Sequence, residues 1–191
     1  MTTALPAGEW ALANINIGMA ATYVNFINLM AYDFSGSWSD ATGHQAQLYT
    51  PQRPHNHAAT ISGHAAVAYM YSQNVPLRKI LLGIPAYGRS FLGADGIGQA
   101  FLGHAGEEGT FDYQSLPPPG AQEHVDREAG GAYCVSEDGG FVTYDNPETV
   151  RMKANYVKAT RLGGLFYWTG TGDARGSRSL VETGYSTLHD L

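Results

Sequence analysis

The sequence predicts an α/β chain of successive β/α units, about half of a (β/α)8 barrel, with a small inserted subdomain. Three observations carry this. Short apolar runs at 23–32, Lys79–Pro85 and Gly164–Trp168 each end in aromatic or charged side chains, as barrel strands do at their ligand-facing mouth. Helical patterns lie between and after these runs, so the order reads β-helix-β-insertion-helix-β-helix. Setting residues 90–145 aside leaves about 135 of the 191 residues, against about 250 for a complete barrel.

The first run carries the most information. It reaches Met30-Ala31-Tyr32-Asp33, followed by Gly36 and Trp38. Its residues are mostly apolar rather than alternating, which predicts a parallel strand covered on both faces. Residues 34–57 read as a long loop rich in Gly, Ser, Pro and His. Residues 58–73 read as a helix with Ile61, Ala65, Ala68 and Tyr69 on one stripe, stopped by Asn74 and Pro76. The run Lys79–Pro85 is a second strand ending in Tyr87-Gly88-Arg89. Residues 90–145 are Gly-rich, contain Pro117-Pro118-Pro119, and hold short strand patterns at Gly131–Val135 and Gly140–Tyr144, so they read as an inserted, mostly β subdomain. Asn146-Pro147-Glu148 is a helix start: a cap, a proline in the first turn and an acid favoured by the helix dipole. Val150, Ala154 and Val157 form the inner stripe of this helix, and Gly163 marks its end. Gly164–Trp168 is a third strand, followed by a Gly-rich loop with Asp173, and a last helix lies near 178–189. The division is therefore 1–89 and 146–191 for the partial barrel and 90–145 for the insertion.

Composition narrows the ligand class. The net charge is −6 and no basic run or basic-aromatic stripe occurs, which argues against nucleic acid as a partner. No apolar stretch reaches the length that crosses a bilayer, and Met1–Ala7 has neither the charged start nor the apolar core of a secretory signal. Cys134 is the single cysteine, so neither an intrachain disulfide nor a cysteine-based zinc site is available. Aromatic residues make up 12% and charged residues 15%, with 24 glycines. That balance suits a neutral, hydroxyl-rich ligand such as a sugar.

On these residues the chain resembles glycoside hydrolase family 18, and specifically the fungal chitinases. The segments that carry the resemblance are Leu5-Pro6-Ala7-Gly8, Asn28–Gly36, Gly83–Phe91 and Gly164–Trp168, in the family's order and spacing over essentially the whole chain. The resemblance implies that they are the ends of barrel strands five to eight, the C-terminal half of the catalytic domain, and that 90–145 is the family's small α+β insertion. It implies chitin or chitooligosaccharide as substrate and hydrolysis of β-1,4 N-acetylglucosamine linkages without a cofactor. The sugar's own N-acetyl carbonyl attacks the anomeric carbon, an exception to the two-carboxylate scheme. In the family the proton donor is the glutamate of a D-x-x-D-x-D-x-E motif on the fourth strand. That motif does not occur in these 191 residues.

The resemblance assigns roles residue by residue. Tyr32 and Asp33 match the groups that hold the substrate's acetamido group; on the residues alone they read more readily as a buried tyrosine and a capping aspartate. Trp168 matches the floor of the sugar site at the cleavage point, against the alternative of a core tryptophan. Trp38 matches a cleft wall on the leaving-group side. Tyr87 and Arg89 match a pair lining the cleft, and Arg89 reads equally as a structural anchor of the insertion. Met30 is expected beneath the sugar. His55, His57 and His64 lack a carboxylate at ligand spacing, so no metal is assigned. Glu107, Glu108, Asp126 and Glu128 fall in the insertion and are expected to be solvated.

Three expectations follow. Four barrel strands without the other four expose roughly ten apolar side chains, at about 1.5–3 kcal/mol each. The isolated chain is therefore expected to aggregate, to pair with the missing N-terminal half-barrel, or to self-dimerise. It is expected to have no glycosidase activity alone. The alternatives are a lectin-like protein that binds without turnover and a non-functional remnant. Members of the family are often extracellular.

Overall fold

The computed structural model describes residues 1–54 and 57–191. The chain builds two sheets. The first is four-stranded and wholly parallel, in the order β1 (Thr2–Pro6), β2 (Phe26–Met30), β3 (Ile80–Pro85) and β9 (Gly164–Trp168). The second is antiparallel, in the order β5 (Thr110–Asp112), β4 (Tyr87–Phe91), β8 (Gly140–Tyr144), β7 (Gly131–Ser136) and β6 (Gln122–Asp126). Only Ala86 separates β3 from β4, so one segment passes directly from the parallel sheet into the antiparallel one.

Helices α1 (Glu9–Leu12), α2 (Ile17–Tyr23), α3 (Gly63–Ser72), α4 (Pro147–Thr160) and α5 (Leu180–His189) complete the fold. Leu5, Ile27, Leu29, Ile80 and Leu82 project from one face of the parallel sheet. They pack with Leu12 and Ile17, Ala66, Val67 and Met70 of α3, and Val157 of α4 in one continuous core. Ile84 joins a second core with Tyr113, Cys134, Val142, Tyr144, Val150 and Leu180, which ties the antiparallel sheet to α4 and α5.

The opposite face of the parallel sheet is open. Strand alternation places Phe26, Asn28 and Met30 there, with Leu81, Gly83, Phe166 and Trp168 from β3 and β9. Phe26 is 41% exposed and Trp168 61%. The expectation of a strand covered on both faces is thus corrected: β2 has an apolar composition on both sides, and the helices cover only one.

Other expectations are adjusted. β1 is a fourth strand that apolar patterning passes over, because it holds two threonines and a proline in five residues. The expected helix over 58–73 is a short 3₁₀ turn at Ala58–Thr60 and then α3, capped by Ser62. Its buried stripe is Gly63, Ala66, Val67 and Met70, one position on from the stripe that Ala65 and Ala68 suggested. Helix α4 starts as expected, with a capping box between Asn146 and Thr149, and Val150, Ala154 and Val157 are buried. It ends at Arg161 in the left-handed conformation, before Gly163.

Among its described residues the segment 34–57 has no regular strand, yet Thr42, His44, Gln45, Ala46, Gln47 and Leu48 are buried. Lys153 Nζ donates to Ala46 O at 2.6 Å and to Asp145 Oδ2 at 2.5 Å, and Thr149 Oγ1 donates to Asp145 Oδ1. His44 Nε2 lies 3.3 Å from Asp126 Oδ2. Asp126 is therefore not a solvated acid. The His44 hydrogen bond, opposed by partial burial and aided by the Ala129 and Glu128 amides, lowers its pKa to about 2. Glu128 also has a partner, accepting from the Gln52 amide.

Candidate functional site

At the C-terminal end of the parallel sheet lies a cleft of about 460 Å³. Its wall residues come from the ends of β1 and β2 and from the segment after β2. Met30, Tyr32, Asp33 and Trp38 all line it. This is the end of a parallel sheet where ligands bind in α/β folds.

Tyr32 is seated by a glycine. A Cβ on Gly83 would stand 2.7 Å from Tyr32 Cε1 and 2.9 Å from Phe166 Cε1. Only a bare backbone on β3 lets both rings lie on the open face of the sheet. Tyr32 also meets Tyr87 edge-to-face, with ring centroids 6.2 Å apart. Burial, with the neighbouring Asp33 charge, raises the Tyr32 pKa to about 12. Its hydroxyl is therefore a proton-bearing donor across ordinary pH.

Asp33 has φ of 61°, in the left-handed region that aspartate tolerates better than most residues. Tyr87 and Arg89 lie two residues apart on β4, on one face of that strand, and both reach back to Asp33. Tyr87 Oη donates to Asp33 Oδ1 at 2.8 Å and Arg89 Nε donates to the same oxygen at 2.7 Å. Among the described residues no hydrogen bond reaches Oδ2, and Asp33 lines the cleft. Burial and then the Asp33 charge push the Tyr87 pKa far up. For Arg89, burial alone would lower the pKa, and the Asp33 hydrogen bond and charge turn the net shift upward. The Arg89 guanidinium stands 4.6 Å from the Trp38 ring centroid, a cation–π contact.

Of the seven residues singled out by sequence, four line the cleft directly, and Tyr87 and Arg89 back it through Asp33. Trp168 stands apart. It ends β9, paired with Pro85, and does not line the cleft itself. Its carbonyl accepts from the Ala86 amide at 2.7 Å, which fixes the backbone of both strand ends together. Trp10, Asp40 and His57 line the cleft without having been singled out for it. Trp10 follows β1, the strand that apolar patterning passed over. Of the histidines, His55 lies outside the described residues. His64 Nδ1 lies 3.1 Å from the Tyr156 hydroxyl, in an aromatic cluster with Tyr49.

Comparison with known proteins matches this geometry to a family. The chain is 37% identical over 193 residues to Endochitinase 1 of Metarhizium robertsii and 35% identical over 193 residues to Chitinase 1 of Aphanocladium album. In both cases the match covers 98% of this chain and 45% of the relative, so the chain spans less than half the length of these proteins. Among solved structures, a plant class V chitinase mutant from Cycas revoluta in complex with (GlcNAc)3 superposes with a TM-score of 0.83 at 28% identity, over 97% of this chain and 54% of that one. The family model described as Glycosyl hydrolases family 18 matches residues 1–173. An α/β sheet with its polar and aromatic groups gathered at the strand ends, and a family match over most of its length, place the chain in glycosyl hydrolase family 18.

Proposed function

We propose that this chain supplies the acetamido-holding and sugar-stacking part of a chitinase-type cleft, with chitin or chitooligosaccharides as its ligands. The observation that carries the reading is Asp33, held by Tyr87 and Arg89 beside Tyr32 on the open sheet face. An N-acetyl group needs a donor for its carbonyl oxygen and an acceptor for its N–H. Tyr32, kept protonated by burial, is the donor. Asp33 is the acceptor, with Oδ1 occupied by its two protein donors and Oδ2 left for the ligand. Trp38 and Trp168 offer indole faces to the apolar faces of the sugar rings. In substrate-assisted retention these groups aim the acetamido oxygen at the anomeric carbon, and no protein nucleophile takes part.

The reaction also needs an acid to protonate the leaving oxygen, and no D-x-x-D-x-D-x-E motif occurs in the 191 residues. The chain is read as strands five to eight of the barrel, with 90–145 as the insertion, and it hydrolyses nothing by itself. The open sheet face is covered by the complementary half-barrel or by a second copy of this chain. The alternative is a lectin-like protein that binds through the same acetamido and aromatic groups without turnover.

The test is titration of the soluble chain with N-acetylglucosamine oligomers, alongside a hydrolysis assay on the same samples. Saturable binding that is lost in Trp168→Ala and Asp33→Asn, with no turnover, is expected. Absence of binding overturns the reading. Turnover that disappears on mutating a residue within 1–191 overturns the claim of inactivity.

A further inference from the structure

Behind the contact of Asp33 with Tyr87 and Arg89 stands a residue that does not line the cleft. Gln45 lies on the segment after β2 and is fully buried. Its carbonyl accepts from the Phe34 amide at 2.9 Å, one residue past Asp33. Its side-chain Nε2 donates to the Tyr87 carbonyl at 2.8 Å and to the Thr143 carbonyl at 3.3 Å. Both contacts are carbonyl oxygens, which fixes the orientation of the amide. The Gln45 backbone N–H donates to Thr143 Oγ1 at 3.3 Å, and Thr143 is the residue paired with Arg89 across β8 and β4.

One side chain and its own backbone therefore reach the neighbour of Asp33, the backbone of Tyr87 and the strand partner of Arg89. Those are the three residues that meet at Asp33 Oδ1. Asp33 is in the left-handed conformation, which the local chain does not favour, so the backbone beside it has to be held from outside. Gln45 Oε1 has no hydrogen-bond partner among the described residues. A buried acceptor left unsatisfied costs stability, so an amide at this place is a poor choice for stability alone. What it does supply is a fixed Tyr87 backbone.

We infer that Gln45 is a positioning residue for the Asp33 carboxylate, acting through Tyr87 and Arg89 without touching Asp33 or the ligand; this rests on the functional reading above. The Tyr87 hydroxyl sits at the end of a rigid ring, so a shift of its backbone carries through to the hydroxyl. A displacement of about 0.5 Å takes its 2.8 Å bond to Asp33 beyond the range of a good O–H···O bond. Freed from Gln45, the Tyr87 backbone no longer keeps that tolerance, and Asp33 loses its single orientation.

The experiment is a double-mutant cycle read by titration with the N-acetylglucosamine tetramer. Gln45→Met keeps the length of the side chain and removes both Nε2 bonds, and Gln45→Asn keeps the amide but is one carbon too short. Each is made in the wild-type chain and in Tyr87→Phe, with folding checked by circular dichroism. In the wild-type background each is expected to weaken binding about fivefold. In Tyr87→Phe, where the hydroxyl to be positioned is gone, the further loss is expected to be about twofold or less. Equal losses in the two backgrounds, or wild-type affinity in both single variants, overturn this inference alone. Failure of both variants to fold makes Gln45 a residue of the fold and overturns it too. A wild-type chain that binds no tetramer overturns the functional reading, and this inference with it.

Discussion

The Tyr87 hydroxyl donates to Asp33 Oδ1 across 54 residues of sequence. With Arg89 on the same oxygen, it holds the carboxylate at the end of β2 in one orientation, and it does so from the other sheet. The candidate site is therefore a joint between two sheets. Tyr87→Phe removes one donor and leaves the ring packed on Tyr32. It is expected to weaken chitooligosaccharide binding about tenfold or more, the scale of one hydrogen bond to a charged group. Arg89→Met is expected to cost more, because it also removes the cation beside Asp33 and the partner of Trp38. Titration calorimetry with the same oligosaccharide reads both.

Gly83→Ala tests the seating of Tyr32. The new methyl would meet two rings and the Leu29 carbonyl, all within 3 Å. Urea denaturation is expected to show a loss of about 1–3 kcal/mol. Oligosaccharide binding should fall as well, because Tyr32 is the ring displaced. A variant of unchanged stability would show that the sheet opens at this point without cost.

The pair Lys153–Asp145 is nearly fully buried on both sides and fastens the segment after β2 through the Ala46 carbonyl. Lys153→Met strands a buried carboxylate and is expected to cost about 3–5 kcal/mol. Adding Asp145→Asn should return most of that loss, since Thr149 still has an acceptor. A double variant no more stable than the single one would locate the cost in packing instead.

Acid stability should report Asp126. Its pKa falls from 3.8 to about 2 on folding, so between those values the unfolded chain binds the proton and the folded chain does not. The contribution is complete above about pH 4 and is lost as pH falls through 3.8 toward 2. His44→Ala removes the main cause of the shift. It is expected to move the acid unfolding midpoint, followed by circular dichroism, to higher pH. An unmoved midpoint would mean that the Ala129 and Glu128 amides suffice.

Local sequence determined the succession β2, α3, β3, α4, β9 and α5, the strands Gly140–Tyr144 and Gly164–Trp168, the Asn146 cap with its buried stripe, and the strand-end cluster Met30, Tyr32, Asp33. These depend on side-chain period, capping chemistry and turn residues, which act over a few positions. Tertiary structure alone decided which face of the parallel sheet is covered, because an apolar strand between apolar neighbours reads the same whether one face or two are packed. It also decided that Tyr87 and Arg89 converge on Asp33, that His44 and Lys153 anchor the segment after β2, and that Trp10 shares a cleft with Trp38. Each of these joins side chains far apart in the chain, and their meeting is set by how the two sheets pack, which no local pattern records.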